Sequence, residues 1–528
     1  MGNRPRMSRR RVVQALAGIP VGCALAASTG ASPAAARAVP AGAQPAVGNR
    51  TTHPPRARRA ALVQALDDAC RGANVPAFGI AVVDAEGEVL VDARGRLQGL
   101  DGNTPFRIGS ITKTITALAM LRLAERQAID LDRTPLRDLA PDASFSNPWE
   151  AEAPLTVAML LEHTAGFGEL TRREWDYAAP ARISLREGLA LDPASRTCRW
   201  RPGVQHVYSN ASPGLVAWAI ECRQPLPYDD FVRAEVLQPL GLQHTGFLPD
   251  DASARRLVPG FRADGMTRIP YWHQHILAYG ALHASPQDMA RLLRTLLADA
   301  GAVPREHISV TPSLLRAASM ARMLSPRTSL AARAGLALGH GLGIYGSARG
   351  GFVFDGHGGD GDGYLSRFGL LRSAGRGYFL VIDTDNPPLF ARLRQIVERW
   401  LTADLAPLAA PRPAALAAPQ PAALATTAAP SQAATLARWA GHYRRAASRF
   451  PAPTEGGRQA ELEVVVSGQG LQLRGAVTAD LLPTGAPGQF RTSAESVATS
   501  IFAVEGGELY LLGEPGNFLR TPDSAISR

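Results

Sequence analysis

The sequence predicts a mixed α/β (α+β) domain followed by a small antiparallel β-domain. In the larger domain an antiparallel sheet is assembled from both ends of the region and flanked by helices, with an all-helical insertion between. Three observations carry this expectation. Strand-like runs stand at both ends of residues 58–402, and helical patterns fill the middle. Residues 403–434 are Ala/Pro-rich and low in complexity, the composition of a linker. Beyond them, over 435–528, short alternating apolar runs are separated by Gly and Pro turns, as in a small barrel or sandwich. The length agrees, because 528 residues exceed one compact core, and 46% hydrophobic residues exclude disorder throughout.

Residues 1–38 read as a twin-arginine export signal. Ser8-Arg9-Arg10-Arg11-Val12-Val13 precedes a mildly apolar stretch over 12–28, and small-residue cleavage sites follow around Ala34-Ala35-Ala36 and Ala36-Arg37-Ala38. The apolar stretch holds Gln14 and Pro20 and is too soft to span a bilayer. The expectation is a periplasmic or secreted protein with no transmembrane span after signal removal. An Ala/Pro/Arg-rich linker covers 39–57. Residues 58–74 have a helical pattern. Runs 78–84 and 88–93 read as two strands joined by Ala85-Glu86-Gly87. Residues 111–123, apolar nearly all round, read as a buried helix. Most of 150–300 reads as helical. Runs 352–354, 366–372 and 377–383 read as strands, and 389–401 as a helix. In the C-terminal part the strand-like runs are 462–466, 471–473, 501–504 and 509–512.

The formal net charge is +10, but residues 1–40 hold six Arg and no acid. What remains is a nearly balanced chain without a basic stripe, so nucleic acid is not an expected partner. Of four Cys, Cys23 falls in the signal. The remaining three allow one disulfide at most, with Cys198–Cys222 as the expected pair. No C-x-x-C occurs, and His273 and His275 lack a third ligand at a helical spacing, so no metal site is expected.

Of the 56 Lys and Arg residues, one is a lysine, Lys113. Arg stays protonated, whereas a buried Lys can work as an amine. Lys113 closes Ser110-Ile111-Thr112-Lys113 at the entry to the expected buried helix, and residues three apart share a helical face. The amine can take the Ser110 proton, and the alkoxide can attack a carbonyl. In Tyr208-Ser209-Asn210 a phenol and an amide stand two residues apart, pointing the same way if extended. Tyr208 can relay a proton; Asn210 can hold Lys113 or a substrate amide. Asp355-Gly356-His357-Gly358-Gly359-Asp360-Gly361 reads as a glycine-rich segment preceding a strand, where a substrate backbone can approach closely. The N–H groups of Asp360 and Ser110 are candidates for an oxyanion hole. The residue orders of a Ca²⁺ loop and of a phosphate loop are absent there.

Together these motifs resemble the serine β-lactamase / penicillin-binding-protein superfamily, most of all its class C β-lactamase, D-alanyl-D-alanine carboxypeptidase and esterase branch. Residues 155–166, with Leu160-Leu161-Glu162-His163-Thr164-Ala165-Gly166, are similar to that branch's TVRDLLTHTSG segment, and residues 279–289 to its GGLYSTAADLARF segment. Arg438-Trp439-Ala440-Gly441-His442-Tyr443 resembles the start of lipocalin-like or barrel modules appended to some of these hydrolases. The resemblance implies an acyl-enzyme on Ser110, with Lys113 as base and Tyr208 as proton shuttle. It implies substrate contacts from Asn210, His357, Gly359 and Asp360. No cofactor and no metal are implied. The implied partners are peptidoglycan-like peptides, β-lactams or small esters. His357 stands where dedicated β-lactamases carry Lys, so a weaker, pH-dependent hold on a substrate carboxylate is expected. The competing reading is a slow penicillin-recognising sensor of the cell wall.

Overall fold

The computed structural model describes residues 56–177, 183–247, 256–304, 313–407, 432–449 and 460–521, apart from 493, 494, 496 and 515. The expected export signal, most of the 39–57 linker and most of the 403–434 linker lie outside them.

Helix α1 (Arg56–Gly72) leads into the hairpin β1 (Ala77–Val83) and β2 (Glu88–Gly95). Helix α2 (Thr112–Gln127) follows, then α3 (Ser212–Arg223) and α4 (Pro286–Asp299). Four strands return to the sheet: β3 (Tyr345–Arg349), β4 (Phe352–Gly361), β5 (Tyr364–Leu371) and β6 (Arg376–Ile382). Helix α5 (Pro387–Thr402) closes the domain. The sheet order is β2-β1-β6-β5-β4-β3, antiparallel throughout, so both ends of the region do meet in one sheet.

Every residue of β1 is buried, because the sheet is covered on both faces. Phe78, Ile80 and Val82 face α1 and α5, where Leu62, Leu66, Leu393 and Val397 pack. Ala77, Ala81 and Val83 face the opposite core, which contains α2, α3 and α4. Helix starts follow local chemistry. Ser285 caps α4 by accepting the Asp288 N–H, Asn386 caps α5 by accepting that of Leu389, and each helix has Pro at its first position.

The insertion is less helical than its sequence suggests. Between α2 and α4, apart from α3, the helices are short, such as Val157–Leu161 and Leu185–Ala190, and irregular backbone joins them. A second correction concerns the glycine-rich run. It does precede a strand, β5, but it is itself the C-terminal part of β4. A third concerns cysteine: Cys198 and Cys222 are free thiols. Cys198 is buried with Sγ donating to the Ala165 carbonyl at 3.1 Å, whereas Cys222 is exposed.

Beyond the linker, eight strands close into an antiparallel barrel, from β7 (Gly441–Arg445) to β14 (Phe518–Arg520). Side-chain alternation serves two cores. Phe502 and Leu511 fill the barrel interior with Tyr443, Leu473 and Phe518. Ile501, Ala503 and Leu512 point outward and pack on Val204, Leu330 and Leu336 of the larger domain. Asn517 adds a hydrogen bond to the His206 carbonyl at 2.7 Å.

Candidate active site

Ser110 sits in a 3₁₀ turn, Gly109–Ile111, that feeds directly into α2. Gly109 has φ +49, and a Cβ there would lie 2.8 Å from the Asp360 carbonyl oxygen and 2.9 Å from its nitrogen. Glycine thus lets the nucleophile turn press against the end of β4. A Cβ at Gly359 would fall 1.9 Å from the Ile108 oxygen. These two close approaches bring the backbones of Ser110 and Asp360 side by side.

Lys113 lies one turn into α2, 1% exposed. Its Nζ is 2.9 Å from Ser110 Oγ, 2.7 Å from Asn210 Oδ1 and 2.6 Å from the Tyr279 carbonyl oxygen. Asn210 Nδ2 lies 3.3 Å from Glu169 Oε2, and a carboxylate only accepts. The amide is therefore turned so that its oxygen faces the amine. A neutral amine has two hydrogens and one lone pair. The two hydrogens go to Asn210 Oδ1 and the Tyr279 carbonyl, which leaves the lone pair for the Ser110 hydroxyl. Burial holds the Lys113 amine well below its ordinary range, against an opposing pull from Glu169.

The Tyr208 segment is fixed by His163. The Val207 N–H bonds the His163 carbonyl at 2.8 Å, and the Ser209 N–H bonds His163 Nδ1 at 3.3 Å. The Tyr208 phenol stands beside Ser110, and burial pushes its proton affinity up, so it stays a donor. His163, His206, His340 and His357 surround it in a buried aromatic cluster. Among the described residues no group of three or more His, Cys, Asp or Glu is placed to hold a metal ion.

His357 Nδ1 lies 2.6 Å from the Gly358 carbonyl oxygen. A carbonyl only accepts, so Nδ1 carries the proton and Nε2 is a lone pair. Burial, and after it the nearness of Lys113, push the imidazole down to about 3. His357 is thus a neutral acceptor at working pH, and the expected pH-dependent charge there is moved out of that range. Ser110, Tyr208, Asn210, His357 and Asp360 line one cleft of about 800 Å³, walled by Trp175 and Trp272. Gly359 lies behind it, packed on the nucleophile turn.

A family model described as Beta-lactamase matches residues 60–399. The chain belongs to the beta-lactamase family. Among curated relatives, a beta-lactamase of Yersinia enterocolitica is 28% identical over 192 residues, covering 36% of this chain and 46% of that protein. A putative D-alanyl-D-alanine carboxypeptidase of Escherichia coli O157:H7 is 27% identical over 172 residues, covering 28% of this chain and 39% of that one. The chain thus spans less than half the length of these two relatives. The octameric penicillin-binding protein homologue from Pyrococcus abyssi shares the fold, with TM-score 0.52 and 19% identity over 88% of this chain and all of that one.

Within this beta-lactamase-family site, several residues escaped the motif reading. Glu169 follows a family-like segment but carries no signature of its own. Arg367, buried and donating to the Tyr345 hydroxyl at 2.6 Å, lies opposite Gly358 on β5. Arg449 comes from the barrel side, 280 residues away from the Glu169 it meets.

Proposed function

We propose that the protein is an exported serine hydrolase that forms an acyl-enzyme on Ser110 and cleaves a D-amino-acid peptide, a β-lactam or a small ester. The observation that carries this is the setting of Lys113: its buried Nζ lies 2.9 Å from Ser110 Oγ, and Asn210 Oδ1 and the Tyr279 carbonyl take up its two hydrogens once it is neutral. As Ser110 Oγ attacks the carbonyl carbon, its proton passes to Lys113 Nζ. The oxyanion forms between the N–H groups of Ser110 and Asp360. Tyr208, a phenol beside Ser110 in the same cleft, gives the leaving amine or alkoxide its proton. In deacylation water attacks the ester, and the same groups run in reverse. Asn210 acts on Lys113, since both ends of its amide are engaged. The family membership and the named β-lactamase and carboxypeptidase relatives support this chemistry. The twin-arginine pattern supports export.

The test is incubation of the mature chain and its Ser110→Ala variant with a fluorescent penicillin and with nitrophenyl esters. Labelling or turnover that disappears in the variant is expected. If neither probe labels or turns over on the unmodified chain, the hydrolase reading fails. Labelling without release would mark the sensor instead.

A further inference from the structure

Glu169 is a buried carboxylate, 6% exposed, at the back of the catalytic centre. Its oxygens meet the N–H and Nδ2 of Asn210, both at 3.3 Å, and Asn210 Oδ1 in turn holds Lys113 Nζ at 2.7 Å. An uncompensated carboxylate at that remove favours the ammonium form of Lys113, which cannot act as base. The compensation comes from the other domain. Arg449 follows the first barrel strand, β7, and its Nε donates to Glu169 Oε2. The same guanidinium lies 4.9 Å from the centre of the Tyr208 ring and lines the cleft. Among the described residues, no other side-chain cation pairs with Glu169.

We propose that Arg449 is a positioning residue of the catalytic centre, supplied by the C-terminal barrel, which neutralises Glu169 so that Lys113 works as a free amine. The barrel is then a functional part of the site rather than an appendage. This rests on the roles proposed above for Ser110 and Lys113.

The other groups around Lys113 do not supply this balance. Ser110, Asn210 and the Tyr279 carbonyl hold the amine, and the rings of Tyr208 and Tyr279 lie 5.0 and 5.8 Å away. His163, His340 and His357 are buried, and that burial keeps them neutral. Asp360 is a second acid and acts in the same direction as Glu169. Arg449 opposes both acids.

The experiment is kcat/KM against pH for a nitrophenyl ester, with the full-length mature chain. The acid limb reports loss of the free amine. Removing Arg449 leaves Glu169 uncompensated and raises the proton affinity of Lys113. In Arg449→Met the limb therefore moves to higher pH, by at least about one unit. In Glu169→Gln the guanidinium is left without its acid, and the limb moves to lower pH. The double variant returns toward the parent, and Arg449→Lys keeps the parent limb. Glu505→Gln serves as control. It cuts the ion pairs of Arg201 and Arg333 that also join the barrel to the larger domain, at 3.5 and 3.4 Å, and leaves the limb in place. An unmoved limb in Arg449→Met, with Ser110 still acylated, overturns the inference and leaves the nucleophile standing. An equal shift in Glu505→Gln also overturns it, since docking of the barrel would then be the cause. If Arg449→Met does not fold, the direction of the Glu169→Gln shift decides. Absence of Ser110 acylation in the unmodified chain refutes the underlying reading instead.

Discussion

At the scale of single residues, the site is defined by where protons can sit. A carboxylate fixes the Asn210 amide, the amide and a carbonyl take the two hydrogens of Lys113, and one lone pair is left over. Arg at this position has no such lone pair and stays charged. Lys113→Arg is therefore expected to lower the acylation rate by about 10²–10⁴-fold while the chain stays folded, as read by stopped-flow with a chromogenic ester. Near-normal acylation would remove Lys113 from the mechanism. The same reasoning separates His357 from the lysine that dedicated β-lactamases carry in its place. A proton fixed on Nδ1 by the Gly358 carbonyl leaves Nε2 to accept, so this position offers a hydrogen-bond acceptor in place of a cation. Much of this was readable in the sequence. The one lysine of the chain, three residues after a serine, pointed at the nucleophile's neighbour. Glu169 was not readable, because an acid in an ordinary segment has no pattern that tells what it will meet.

At the scale of elements, β4 decides the geometry. Its glycines disguised it, since glycine is depleted in strands and four of the seven residues over 355–361 are glycine. The physical reason for them is close approach: a Cβ at Gly359 would stand 1.9 Å from the Ile108 oxygen and 2.5 Å from Ser366 Oγ. Gly359→Ala must therefore part β4 from the nucleophile turn. A destabilisation of about 1–3 kcal/mol in denaturant unfolding and a large loss of kcat/KM are expected. Wild-type activity in that variant would contradict the packing described. Strand β6, two places along the sheet, ends at a second constrained group. Asp383 is fully buried, and its Oδ1 accepts the Ala77 N–H at 3.0 Å and the Thr384 hydroxyl at 3.2 Å. Burial pushes its carboxyl up to about 8 from an ordinary 3.8. Folded, it keeps its proton to about pH 8; unfolded, it ionises above about pH 4. Its contribution therefore turns unfavourable as pH rises through that window. Asp383→Asn keeps the acceptor for Ala77 and removes the loss. Its Tm is expected to exceed the parent's near pH 8 and to match it near pH 4. An equal gain at both pH values would refute the assignment.

At the scale of the whole molecule, the sequence pointed to one sheet built from both ends of the larger region and to a small C-terminal antiparallel β-domain. Strand pairing, eight-fold closure of the barrel and its seating were beyond it. Those depend on contacts between segments far apart in the chain, and four of the barrel's short strands are too irregular to show alternation alone. The seating matters most for chemistry. Outward-facing Ile501, Ala503 and Leu512 pack on the larger domain, and that docking is what lets Arg449 reach Glu169. No local pattern near Arg449 predicts a role in a site whose nucleophile is Ser110. The whole account depends on that nucleophile. Its most direct test is the intact mass of the full-length mature chain after mixing with an activated ester or a β-lactam. A single acyl adduct on the peptide containing Ser110, absent from Ser110→Ala, is predicted. An adduct on another residue, or undiminished turnover by Ser110→Ala, would contradict it.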